Sequence, residues 1–177
     1  MSINEFYTNA TFAFNSPYSE TAALNAYDYL KTYSTLDPDI KSLIAAGNIL
    51  ALIGQTNRSL KETNISINAA LNSVPHASQT YAASVMSAVK VARDCVKQKC
   101  VDASVSASLA AFYGSNNACV YNSVQTAYKT SGLNAAFICA AGSIYMRVFT
   151  LMTETHNPDT NNRTVHKFQE YINDTQV

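Results

Sequence analysis

A chain of 177 residues that is 47% hydrophobic is long enough to bury its own core and too apolar to be disordered. Only 14% of its residues are charged, against a usual figure of about 25%, and 12 Lys and Arg balance 12 Asp and Glu. That balance excludes the basic footprint of a nucleic-acid binder or a polybasic membrane binder, and a near-neutral surface favours association.

Residues 1 to 15 have neither a basic start nor an apolar core, and no apolar run reaches the roughly 20 residues that span a bilayer. The expectation is a cytoplasmic protein with no membrane insertion. Pro17 with Ser19 and Glu20 opens a predicted helix in which Ala23, Leu24, Tyr27 and Leu30 recur at helical spacing. Asp37-Pro38 is a second start, a capping carboxylate followed by a first-turn proline. The stripe Ile40, Leu43, Ile44, Gly47, Leu50, Ile53 follows, and Asn57 to Ser59 bends or breaks it before Ile67, Leu71 and Val74.

Pro75 ends that segment. Tyr81, Val85, Val89, Ala92 and Val96 then share a face of a helix predicted to reach Phe112. Gly114 with Ser115-Asn116-Asn117 is a stop and restart. Val120, Val124 and Tyr128 mark the next helix, which Gly132 closes. Phe137, Ala141, Ile144, Val148 and Leu151 line the most hydrophobic helix. Asn157-Pro158-Asp159 reads as a loop, and Val165, Phe168 and Ile172 as a last amphipathic helix. No segment alternates with period two, so the predicted fold class is all-α, with about seven helices in one domain.

Chemistry-bearing residues are few. Cys95, Cys100, Cys119 and Cys139 show no CxxC spacing and have no neighbouring His, which argues against zinc. They are expected as reduced thiols; two disulfides in a secreted chain, with sequons at Asn9, Asn57, Asn64, Asn162 and Asn173, are the alternative. His76, His156 and His166 lack partners at metal-binding spacing. Nucleophile elbow, P-loop and dinucleotide fingerprint are all missing, so no enzyme activity is expected. Glu170 and Asp174 read as a solvated face.

The densest charge lies in Lys90-Val91-Ala92-Arg93-Asp94-Cys95-Val96-Lys97-Gln98-Lys99. Lys90, Arg93 and Lys97 suit the carboxylates of an anionic ligand, and Asp94 suits its N–H donors. On this reading Arg93 and Asp94 project from a buried helix into a pocket between helices. The competing reading is a solvated face with Lys90 and Asp94 as a weak i,i+4 pair.

Val91-Ala92-Arg93-Asp94, preceded by Tyr81-Ala82-Ala83, resembles the chromophore helix of the phycobiliproteins and their globin-fold relatives in cyanobacteria. Residues 39 to 48, Tyr128 to Gly132 and Phe168 to Asp174 resemble other helices of that family, in the same order. The resemblance implies a globin-like body over 37–177 and an extra N-terminal helix or helical pair over 1–36. Through Glu20 to Tyr33 that extension would pack on a phycobiliprotein-like partner subunit or form a homodimer. The implied cofactor is a bilin, phycocyanobilin or biliverdin, with a propionate on Arg93 and pyrrole N–H groups on Asp94. Val91 stands where the family's chromophore-binding Cys would be, so the usual thioether cannot form. Cys95 lies one turn on, flanked by Lys90 and Lys97. The nearest subgroup is that of globins associated with bilin biosynthesis and light-harvesting pigment metabolism. A pigment-free interaction module of the same fold is the second reading. A haem sensor using His76 or His156 is the third, although the stretch from Asn117 to Thr130 has no proximal His.

Overall fold

The computed structural model describes residues 1–15, 19–31 and 37–153. Among these the protein is all-α, with helices α1 (Ile3–Asn15), α2 (Glu20–Lys31), α3 (Pro38–Ile53), α4 (Leu60–Ser73), α5 (Gln79–Val96), α6 (Ala103–Ser115), α7 (Ala118–Ser131) and α8 (Leu133–Thr153). Pro17, Tyr33, the predicted loop at Asn157, the helix around Phe168 and the Glu170 and Asp174 pair lie outside the described residues. So do His156, His166, Asn162 and Asn173.

Local chemistry sets several helix starts. The Asp37 carboxylate accepts from Asp39 N at 2.9 Å beside Pro38. Ser59 Oγ accepts from Glu62 N at 3.2 Å and opens α4 after the break that follows Ile53. Asn117 Oδ1 accepts from Cys119 N at 2.9 Å, which caps α7. Asn116, left-handed at φ 56, ends α6 just before it.

Two expectations need correction and one is met. The long helix predicted to run to Phe112 ends at Val96, and the chain turns through Gln98, Cys100 and Asp102, all with positive φ. No glycine marks that turn, so periodicity runs straight through it. The stop and restart expected over residues 114–117 is found there, with α6 ending at Ser115 and α7 starting at Ala118; Gly114 is the last residue but one of α6. It is buried within that helix, where an added Cβ would lie 3.0 Å from Ile144 and 3.1 Å from Ser84 Oγ. On α7 the buried face is Val120, Val124 and Ala127, while Tyr128 is exposed.

The segment before Pro17 is a full helix, α1, whose Phe6, Ala10 and Ala13 are buried at i, i+4 and i+7. Burying Phe6 alone is worth roughly 1.5–3 kcal/mol. α8 is the axis of the bundle and packs against α1, α2, α3, α6 and α7. It is long and apolar enough to cross a membrane, yet 72% of its apolar window is buried among the other helices, as in a core helix.

α1 lies antiparallel to α8. Phe6 meets Tyr145 and Tyr7 meets Phe149, while Ala10 and Phe14 meet Gly142. A Cβ at Gly142 would press on Phe14 N and lie 2.8 Å from Ala10 O, so glycine is what permits this backbone contact. At the centre the Tyr145 hydroxyl donates to Asn48 Oδ1 at 2.6 Å, and Phe6 stacks on Tyr29 at 5.0 Å. α1 and α2 share one core cluster with the helices that follow. Tyr27, Tyr29 and Leu30 of α2 are therefore covered within the chain itself.

Candidate functional site

The charged cluster on α5 faces outward. Lys90, Arg93 and Lys97 are exposed and Asp94 is half-buried. Among the described residues Lys90 and Asp94 form no ion pair; Lys31 and Glu62, at 3.8 Å on the surface, do. The inward face of the same helix carries Val85, Ala88, Val91, Ala92 and Cys95. Val91 is fully buried and belongs to the core. A helix offers the core one face, and here small and apolar residues hold it, leaving Arg93 toward solvent. Cys95 is separated from the charges and points inward with Val91. All four cysteines are free thiols. His76 is exposed at the end of the short turn after α4.

The structure brings together a different set of residues. α1 and α7 both pack on α8, and a groove of about 370 Å³ opens between them with α8 as its floor. Tyr7 and Phe14 of α1, Val120 of α7 and Met146 of α8 give it an apolar lining. A second hollow of about 340 Å³ continues along α7 and shares Phe14 and Ser123 with the first. Each lies in the range of small-molecule sites, roughly 300–1,000 Å³.

The hydroxyls of the groove are mostly spoken for. Ser143 Oγ donates to Ala140 O at 3.0 Å, Thr150 Oγ1 to Met146 O at 3.0 Å, and Ser123 Oγ to Cys119 O at 3.0 Å. These are back-bonds to the preceding helical turn, which leave the hydroxyls without an activating base. Arg147 differs. It is the sole charged residue of α8, lines the groove, and its Nε is buried without a hydrogen-bond partner. A guanidinium donor shut away from both water and protein acceptors is costly, and an anion entering the groove would satisfy it. The N-terminus of α7 lies on the same wall, at Asn117 and Cys119, and adds the positive end of a helix dipole. Cys119 is the exposed thiol of the groove, whereas Cys95 is elsewhere and buried.

Reading for clusters of charge misses Arg147, because it stands alone. Its signal is that isolation, one cation in an apolar helix of 21 residues. Among the described residues no group of three or more His, Cys, Asp or Glu side chains is placed to hold a metal ion. No protein-family model, curated protein or solved structure matches the chain.

Proposed function

We propose that the protein is a non-catalytic, globin-like carrier that holds an elongated apolar molecule bearing an acidic group in the groove over α8. The observation that carries this reading is the unpartnered Arg147 Nε in an apolar lining. A linear tetrapyrrole belongs to that class, because it joins a flat conjugated body to propionates, and it is the ligand that the resemblance around Arg93 implies. The propionate partner is then Arg147 in place of Arg93. Among the described residues the wall of the groove offers no His, which disfavours haem.

Titrating the purified protein with biliverdin or phycocyanobilin tests the reading by visible absorbance. A red shift and intensification are expected. Arg147→Ala lowers affinity about tenfold or more, the worth of one charge-assisted hydrogen bond. Arg93→Ala leaves affinity unchanged. A spectrum that does not move with either pigment rejects the tetrapyrrole, and equal losses in the two variants reject the groove.

One observation favours a second reading, a pigment-free interaction module. Phe12 on α1 is 56% exposed. A large aromatic ring held in water by a well-packed helix suits a protein interface. Sedimentation at rising concentration checks it: a dimer that Phe12→Ser dissociates supports association through α1, and a monomer throughout removes it.

A further inference from the structure

Away from the groove, the turn between α5 and α6 holds two thiols against each other. Cys95 Sγ and Cys100 Sγ are 3.0 Å apart, about 1 Å beyond the length of a disulfide bond. The backbone places them there. Lys99 N and Cys100 N both donate to Asp94 O, at 2.9 and 3.4 Å, and Gln98 N donates to Cys95 O at 3.2 Å. These bonds fold the chain back on the last turn of α5. To make them, Gln98 and Cys100 adopt left-handed φ of 61° and 36°, a conformation that is unfavourable for any residue with a side chain.

Two further features distinguish the pair from idle core cysteines. Cys95 is buried, whereas Cys100 is half-buried and reachable. Arg58, from the turn before α4, reaches the Cys95 thiol, and one of its guanidinium nitrogens is buried without a hydrogen-bond partner. Burial and the neighbouring Cys100 thiol push Cys95 up to about 12, and Arg58 acts in the opposite direction. A cation at that point stabilises negative charge developing on sulfur.

We propose that Cys95 and Cys100 are a reversible dithiol–disulfide site whose substrate is a small disulfide of the glutathione class. Cys100 attacks as a thiolate on one sulfur of the small disulfide. The S–S bond of the reagent breaks, one small thiolate leaves, and a mixed disulfide remains on Cys100 Sγ. Cys95 then gives up its proton and attacks Cys100 Sγ, which displaces the second small thiolate. The leaving thiolates take up the two protons lost from the cysteines. The protein dithiol is oxidised by two electrons, and the small disulfide is reduced to two thiols.

The test uses the full chain carrying Cys119→Ser, which removes the exposed competing thiol, with the native sequence alongside. Each is incubated with oxidised glutathione, alkylated after denaturation and mapped by mass. The expected result is loss of alkylation at Cys95 and Cys100 together, with no retained glutathione and full recovery on adding a dithiol reductant. A Cys95→Ser chain keeps glutathione on Cys100. Arg58→Gln slows release of the second glutathione by about tenfold, the worth of one charge-assisted contact. Cys95 remaining alkylatable in the otherwise native chain, or glutathione retained on Cys100 beside an intact Cys95, overturns the proposal.

Discussion

At Gly142 the backbones of α1 and α8 touch, because Ala10, Ala13 and Gly142 present almost no side chain at the crossing. On the side facing α7, a groove opens between α1 and α7 over α8, lined by Phe14, Met146, Arg147 and Thr150. Small residues close the seam, and bulky or charged ones prop the groove. The packing of the bundle belongs to the first region, and the binding proposed for this protein to the second. Substitutions should separate the two.

The largest effect is expected at the seam. Phe6→Ala empties a fully buried ring site between Tyr29 and Tyr145 and is expected to cost about 3–5 kcal/mol by urea denaturation. Gly142→Ala is next, at about 1–3 kcal/mol, because its new methyl meets backbone atoms that cannot rotate away. A neutral Gly142→Ala would break the comparison at its root.

A pH series sharpens it. Burial pushes the Cys139 thiol, on α8 beside the second hollow, from 9.0 up to about 12. Between those values the unfolded chain has released this proton while the folded chain keeps it. The folded state then binds more protons, so stability falls as pH rises. Stability from this group is expected to be flat below about pH 9 and to decline above it. Cys139→Ala should lessen that alkaline slope.

Tyr145→Phe removes the hydroxyl that donates to Asn48 and is expected to cost about 1 kcal/mol by the same denaturation assay. Smallest of all is Arg147→Ala, expected within about 0.5 kcal/mol of the parent chain, because no protein acceptor is lost with its Nε. If Arg147→Ala destabilised the fold as much as Gly142→Ala, groove and seam would be one structural unit and the division would fail.

How legible each region is in the sequence follows from how local its causes are. The start of α3 can be read directly, since Asp37 and Pro38 act within one turn. The restart at Asn117 can be read for the same reason. α1 carries its signal in the spacing of Phe6, Ala10 and Ala13, but interleaved Thr and Asn mask it, and its burial depends on α8. The break after Val96 has no glycine or proline to announce it, because the left-handed positions fall to Gln98, Cys100 and Asp102. The groove cannot be read, since Tyr7, Cys119 and Arg147 converge only after three helices pack. Charge density points to Arg93, yet a solvated helix face carries charge at little cost, whereas Arg147 is the lone cation of an apolar helix and lines the groove.

The seam also orders events during synthesis. Gly142 must leave the ribosome before Ala10 and Ala13 can meet their partner, a delay on the order of ten seconds at translation rates of about 5–20 residues per second. Until then α1 has its Phe6–Tyr29 stack on α2 and little else to cover it. Through that interval Tyr7, which packs on Phe149 in the folded bundle, stands uncovered on α1.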